Sequence, residues 1–123
     1  MKAVFINGYG GLDVLVHGDQ PRPQIQHDDV LIRVHAASVN PVDLAVRQGY
    51  MAEWISPTFP YTLGCDVSGV IEAVGRDVTG YSAGDEVFAR LDLNRNGSYA
   101  EYVATSAATI VRKPRTLDYI RIS

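Results

Sequence analysis

Cysteine is nearly absent from this chain of 123 residues, since Cys65 is the only one. A single thiol excludes an internal disulfide and any metal site built from cysteines alone. Basic residues are also few: 11 Lys and Arg stand against 14 Asp and Glu, which gives a formal net charge of −3. Nucleic acids and anionic membrane surfaces favour a basic face, so neither is predicted as a partner.

Long apolar runs are missing as well. No segment approaches the ~20 apolar residues that span a bilayer, and residues 1–6 lack the charged, apolar and small-residue order of a secretory signal. We therefore expect a cytoplasmic protein. The hydrophobic fraction of 46% is sufficient for the core of one domain.

Residues 30–49 are the most informative segment present. With a period of two, one face of residues 30–37 carries only apolar side chains and the other carries both polar residues, which is typical of a half-buried strand. The first face has Val30, Ile32, Val34 and Ala36, and the second has Leu31, Arg33, His35 and Ala37. At Asn40 and Pro41 the pattern changes to that of a helix start. Asp43 is placed to complement the positive end of the helix dipole, and Gly49 can adopt the left-handed conformation that ends a helix. The segment predicts a strand, a turn and a short helix.

Short strands and glycine turns dominate the rest of the chain. The strands are predicted at residues 2–6, 12–16, 67–74, 86–90, 98–104 and 109–112. This spacing is typical of a closed or nearly closed β-barrel, so the expected fold class is mainly β with short helices. The aromatic and proline-rich loop at residues 50–61 either contributes to a ligand site or covers one end of the barrel.

The glycine cluster at residues 8–11 is not predicted to bind phosphate. It lacks the third glycine of the G-x-G-x-x-G motif, because Asp13 stands there. A strand rather than a helix is predicted to follow, so no helix N-terminus would face a pyrophosphate. A plain turn is the expected structure.

Three motifs then occur in one order. They are SVNPVD at residues 38–43 with Arg47 and Gly49, PYTLGCDVSGVIEAVG at residues 60–75, and GDEV at residues 84–87 with GSYAEY at residues 97–102. Together they resemble the medium-chain dehydrogenase/reductase superfamily, and most closely its zinc-free quinone oxidoreductase branch. The resemblance implies a GroES-like, alcohol dehydrogenase-like N-terminal domain over residues 1–114. Residues 115–123 are then the truncated start of a linker to a Rossmann domain that this chain lacks.

The resemblance also implies the chemistry. Zinc-dependent relatives carry a Cys where this chain has Asn40 and a His-Glu pair where it has Cys65 and Asp66, so no metal site is expected. The implied cofactor is NADP(H), bound only when a Rossmann domain is present. The implied reaction is hydride transfer to a quinone or to the β-carbon of an activated alkene.

Site residues follow from the same resemblance. It places Asn40 beside the nicotinamide and the substrate, where its amide can donate to an oxygen, with Asp43 orienting the site. Both are therefore candidates for catalysis and for cofactor binding. Tyr50 is a third catalytic candidate, and Tyr61 is a further one, as an acid or as a ring that stacks on substrate. Considered without the family, helix capping alone explains Asn40 and Asp43, and that alternative stays open.

The expected partners are a small quinone or enone substrate and a protein surface. That surface is either the missing Rossmann half or a second copy that associates through the exposed interface, and the chain alone is expected to be inactive. The alternative is a stand-alone GroES-like module that binds or assembles without catalysis. A monomer with no exposed apolar patch would favour that alternative.

Overall fold

The computed structural model describes residues 1–116 and 118; of the tail predicted over residues 115–123, residues 117 and 119–123 therefore lie outside it. The described part is mainly β, as predicted, with one α-helix and two short 3₁₀ helices. Its strands are β1 (Lys2–Ile6), β2 (Val16–Asp19), β3 (Asp29–Ala36), β4 (Tyr61–Thr62), β5 (Asp66–Val74), β6 (Glu86–Arg90), β7 (Tyr102–Ser106) and β8 (Ile110–Arg112). The helix α1 spans Pro41–Gln48.

Two antiparallel sheets make up the fold. One has the strand order β2-β1-β4 and the other has the order β7-β3-β5-β6-β8. An isolated bridge between Ala3 and Ala100 connects β1 to the segment that leads into β7. The backbone N–H of Val4 also donates to the Tyr99 carbonyl at 2.7 Å. These contacts join the sheets into the predicted barrel-like arrangement.

Strand β3 lies between β7 and β5 in the larger sheet. The predicted alternation holds only in its second half, because Asp29, Val30, Leu31 and Ile32 are all buried. Val30 and Ile32 are fully buried, whereas Arg33 and His35 are exposed. The buried side chains belong to the main core, which also contains Val67, Ile71, Val87, Ala89, Leu91, Val103 and Ile110. Burying apolar surface of this kind is the dominant favourable term in folding.

Helix α1 has the predicted start and end. It begins at Pro41 after the N-cap Asn40, and it ends before Gly49, whose φ of +86° is the left-handed conformation of a C-cap. Val46 is buried in a second core cluster, which also contains Ile6, Ile55, Tyr61 and Leu63. The helix is therefore held at one end of the barrel by its own apolar face.

The prediction of a strand over residues 12–16 is wrong. Leu12–Val14 is a 3₁₀ helix, and the strand begins only at Val16. The reason is local: the N–H of Val14 donates to the Gly11 carbonyl and that of Leu15 to the Leu12 carbonyl, each at 3.2 Å. None of the three helical residues is buried, so no core face selects an extended conformation there.

The last two strands start later than predicted. Residues 98–101 do not continue into β7, because they bridge towards β1 before the chain turns to pair with β3 at Tyr102. The N–H of Glu101 accordingly donates to the Lys2 carbonyl at 3.2 Å. Likewise, Thr109 belongs to the 3₁₀ helix Ala107–Thr109, and β8 begins at Ile110.

Within the described part of the chain, no helix has the length and apolar character needed to span a bilayer.

Candidate functional site

The turn at residues 38–40, between β3 and α1, is held by a carboxylate from the start of β5. One oxygen of Asp66, Oδ1, accepts the backbone N–H of Ser38 at 2.8 Å. The other, Oδ2, accepts from the Asn40 side-chain amide, also at 2.8 Å. Hydrogen bonds to a charged acceptor are stronger than neutral ones, so Asp66 fixes this turn firmly to the sheet.

Asp43 holds the same turn from the first turn of α1. Its Oδ2 accepts the backbone N–H of Asn40 at 2.9 Å, and its own N–H donates to the Asn40 carbonyl at 2.9 Å. Asn40 and Asp43 are arranged as a capping box. The hydrogen bond in it from the Asn40 backbone N–H to the Asp43 carboxylate has good geometry. Asp43 is only 4% exposed, so this carboxylate faces the protein and not solvent.

Tyr99 adds a third contact from the segment before β7. Its hydroxyl lies 3.1 Å from Asp43 Oδ2 and 3.3 Å from the Ser38 carbonyl oxygen. Burial, together with the nearby negative charge of Asp43, raises the pKa of Tyr99 well above its usual value. The hydroxyl therefore stays protonated and acts as a hydrogen-bond donor to the turn.

Cys65 contacts the side chain of Asn40 and is fully buried. Its Sγ is 3.4 Å from the Asn40 amide nitrogen and 4.0 Å from Asp43 Oδ2. Burial raises the pKa of the Cys65 thiol, and the charge of Asp43 raises it further. Because the thiolate is the nucleophilic form, this cysteine is suited to packing and not to covalent chemistry.

The three positions that zinc-dependent relatives use as ligands do meet here, since Asn40 contacts both Cys65 and Asp66. An amide hydrogen of Asn40 points at the Asp66 carboxylate, where a cation would need a lone pair. Among residues 1–116 and 118, no group of three or more His, Cys, Asp and Glu side chains is arranged to hold a metal ion. The donor set at this turn does not fit a zinc ion.

The two candidate tyrosines do not join Asn40 and Asp43. Tyr50 follows α1, at the opposite end from the N-cap and about 12 Å away along the helix axis, and it is 70% exposed. Tyr61 is 2% exposed, and its hydroxyl donates to the Leu93 carbonyl at 2.7 Å. Burial raises the pKa of Tyr61 to about 12. Tyr61 is therefore a core residue, which corrects the expectation that it could meet a ligand.

Exposed apolar side chains concentrate near this helix. Among the described residues, half of the large exposed ones lie within residues 39–59, namely Val39, Leu44, Tyr50, Trp54 and Phe59. The ring of Phe59 meets Tyr9 edge to face, with centroids 5.2 Å apart. We call these five residues with Tyr9 the apolar surface. Where such side chains form one contiguous patch, the patch is typical of an interface or a ligand site.

Ser38, Asp66 and Tyr99 were not recognised as site residues from the sequence. Asp66 lies 26 positions from Asn40, and Tyr99 lies 56 positions from Asp43, so no local pattern connects them. One indication did exist for Asp66, since it occupies the place of a ligand in zinc-dependent relatives. Tyr99 offered no such indication.

Comparison with known proteins supports one family. Residues 26–115 match the family described as the alcohol dehydrogenase GroES-like domain. A human quinone oxidoreductase is 40% identical over 120 residues, which are 97% of this chain and 35% of the human protein. A chloroplast NADPH-dependent alkenal/one oxidoreductase of Arabidopsis thaliana is 40% identical over 126 residues, which cover 97% of this chain and 32% of that protein.

A solved structure gives the same result. The quinone oxidoreductase of Coxiella burnetii superposes with a TM-score of 0.89 at 33% identity, covering 99% of this chain and 39% of that one. The chain thus spans about a third of the length of the relatives it matches.

Proposed function

Because the chain belongs to the alcohol dehydrogenase GroES-like domain family, in the quinone oxidoreductase branch of the medium-chain dehydrogenase/reductases, we propose that it forms the catalytic-domain portion of an NADPH-dependent quinone or enone oxidoreductase. The fold is accordingly a GroES-like domain. The described residues contain no strand, glycine loop and helix arranged to bind a dinucleotide. A second domain is needed to hold the cofactor.

The observation that carries the proposal is the set of hydrogen bonds that hold the turn at residues 38–40. Asp66 on β5, Asp43 on α1 and Tyr99 in the segment before β7 hold this turn, in which Asn40 follows the exposed Val39. Catalytic groups act best when their supporting contacts fix them before the ligand arrives.

NADPH, when held by the second domain, would supply the hydride. In this proposal Asn40 contacts the nicotinamide and the substrate, and Asp43 keeps Asn40 in place from the helix start. Tyr50, exposed on the apolar surface, stacks on the substrate or delivers a proton to it. The thiol of Cys65 and the inward amide of Asn40 leave no cation site, which supports a zinc-free reaction.

The apolar surface is the proposed contact with the second domain. Its aromatic residues have the composition that is enriched at protein interfaces. Since the substrate pocket would lie between the two domains, this chain supplies only one wall of it. We expect the chain alone to bind no NADPH and to self-associate through the same surface.

A chimaera tests the proposal. Residues 1–116 of this chain replace the matching region of the human quinone oxidoreductase, to which the chain is 40% identical. We expect the purified chimaera to oxidise NADPH when a benzoquinone or an enone is added, as measured by the loss of NADPH absorbance. The unmodified chain should show no oxidation.

Two variants of the chimaera sharpen this test. Tyr50→Phe should lower kcat if the hydroxyl delivers a proton, whereas Tyr81→Phe, whose hydroxyl bonds only to the Ile110 carbonyl in the described structure, should not. A chimaera that folds and binds NADPH but reduces neither acceptor would contradict the proposed function.

A further inference from the structure

We infer that Asp66 is the positioning residue that sets the orientation of the Asn40 amide, so that Asn40 can meet a ligand only as a hydrogen-bond acceptor. The geometric part of this inference stands on the described contacts alone. Its meaning for catalysis rests on the proposed function. Neither the order of residues along the chain nor helix capping indicates this role for Asp66.

The first step is the chemistry of the contact between the two side chains. An ionised carboxylate can accept hydrogen bonds but has none to donate. Asp66 Oδ2 lies 2.8 Å from the Asn40 side chain, so the end of the amide at that position must be the nitrogen. With the amide reversed, two oxygens would face each other at this distance, which is repulsive.

The second step is the immobility of Asp66 itself. Its Oδ1 accepts the N–H of Ser38 at 2.8 Å, and its backbone carbonyl accepts the hydroxyl of Ser98. It is also paired across the sheet with Arg90 on β6. The carboxylate therefore has no freedom to rotate away from Asn40 without losing the bond to Ser38.

The third step is the second hydrogen of the Asn40 amide. The nitrogen also has the Cys65 sulfur at 3.4 Å and the Ser38 carbonyl at 3.5 Å. Both hydrogens thus face the protein. The oxygen has two lone pairs, and even with one directed at the helix start, as in a capping box, the second stays available.

The ligand group that Asn40 meets must therefore carry a hydrogen, such as a hydroxyl or an amide N–H. A developing enolate oxygen would face another oxygen there, so its stabilisation must come from a different donor. This inference is opposite to the sequence-based expectation that the Asn40 amide donates to a substrate oxygen.

The primary test is NMR on the 123-residue chain without any ligand. We expect the side-chain amide protons of Asn40 to exchange with water about tenfold more slowly than those of exposed Asn96. Asn96 is a matched reference, because its oxygen accepts the N–H of Thr62 while its nitrogen has no bond recorded among the described residues. Equal exchange rates would overturn the inference, and this reading needs no variant.

Asp66→Asn then tests the cause. The new amide can keep its oxygen towards Ser38 and turn its nitrogen towards Asn40, which must then rotate its own oxygen inwards. We expect the protection of the Asn40 amide to be lost. Asp92→Asn is the control, since Asp92 contacts the amide of Asn94 in a similar way on the surface. An Asn40 amide that stays protected in Asp66→Asn would contradict the inference.

A reciprocal exchange separates positioning from a general loss of structure. Asn40→Asp alone brings two carboxylates together and should destabilise the chain. The double variant Asn40→Asp with Asp66→Asn restores one donor and one acceptor and should recover most of that loss. No recovery would count against the pairing.

The chimaera supplies the functional arm. There Asp66→Asn should lower kcat about tenfold at a temperature where the variant chimaera is still fully folded. If the chimaera is inactive while the Asn40 amide is protected as expected, the proposed function fails and the positioning role stands. If the chimaera is active but Asp66→Asn leaves kcat and KM unchanged, the positioning role fails and the proposed function stands.

Discussion

Asp29 and Arg95, which are 66 positions apart in the chain, form a bidentate ion pair. Nη1 lies 3.0 Å from Oδ1 and Nη2 lies 2.7 Å from Oδ2. The Asp29 side chain is 2% exposed and that of Arg95 is 34% exposed. The pair anchors the loop after β6 to the first residue of β3, and that loop leads directly to Tyr99.

We expect Asp29→Asn to lower the free energy of unfolding by about 2 kcal/mol near neutral pH. The hydrogen bonds from Arg95, with one from the Gln26 N–H, hold the pKa of Asp29 below its usual value. The ionised form therefore stabilises the folded state above the unfolded pKa of about 4, and this contribution disappears as pH falls below it. Urea unfolding at several pH values measures both effects, and the two proteins should converge in acid.

Asp19→Asn is the matched control for this pair. Asp19 also contacts a basic side chain, Lys2 at 3.0 Å, but these side chains are 76% and 61% exposed. Exposed ion pairs contribute little to stability because solvent screens them. If both variants changed the unfolding free energy equally, burial would not be the reason for the strength of the Asp29 pair.

Gly97 is predicted to tolerate no side chain. A Cβ there would lie 2.1 Å from the Gly64 carbonyl oxygen and 2.6 Å from that of Leu63, which are backbone atoms that cannot rotate away. Gly97→Ala should therefore lower the melting temperature, at a cost of about 1–3 kcal/mol.

Gly8→Ala serves as the reference for Gly97→Ala, because nothing lies within 4 Å of a Cβ at Gly8. Its melting temperature should match that of the unchanged chain. If Gly97→Ala had the same melting temperature as Gly8→Ala, the segments at Leu63 and Gly97 would be able to move apart.

Much of the fold could be predicted from local pattern. The strand at residues 86–90 and the helix that starts at Pro41 have the expected bounds, because a clear period and strong end residues coincide there. The prediction of a strand at residues 12–16 was wrong because none of the residues in Leu12–Val14 is buried, so burial does not favour a strand there. Alternation alone does not decide the conformation of a segment that has no fully buried face, and here only Val14 packs, partly buried, against a core cluster.

The sequence predicted only those site contacts that join residues close together in the chain. Asn40 and Asp43 are three positions apart, so their mutual hydrogen bonds follow from helix capping. Tyr99 reaches Asp43 only because a bridge brings its segment against β1 and then β3. Such contacts depend on sheet topology, which periodicity along one segment does not contain.

The Cys65 thiol should react very slowly with a disulfide reagent in the folded protein. It is fully buried, and burial and the charge of Asp43 raise its pKa, so little thiolate is present and none of it is accessible. The labelling rate should rise with urea in parallel with unfolding. Ser82→Cys in a Cys65→Ala background places the thiol on an exposed turn and should react at once. Equal rates for the two thiols in native buffer would disprove the burial of Cys65.

Tyr61 is expected to limit stability in alkali. Burial raises its pKa to about 12 in the folded protein, whereas an unfolded tyrosine ionises near pH 10. The folded state thus holds its proton longer, so the contribution is complete below about pH 10 and is lost as pH rises towards 12, by about 2–3 kcal/mol. Tyr61→Phe should lose the bond to the Leu93 carbonyl but show a shallower decline in unfolding free energy above pH 10. Tyr50→Phe, at a 70% exposed position, should decline as steeply as the unchanged chain. A decline of equal slope in Tyr61→Phe would assign the alkaline loss to another group.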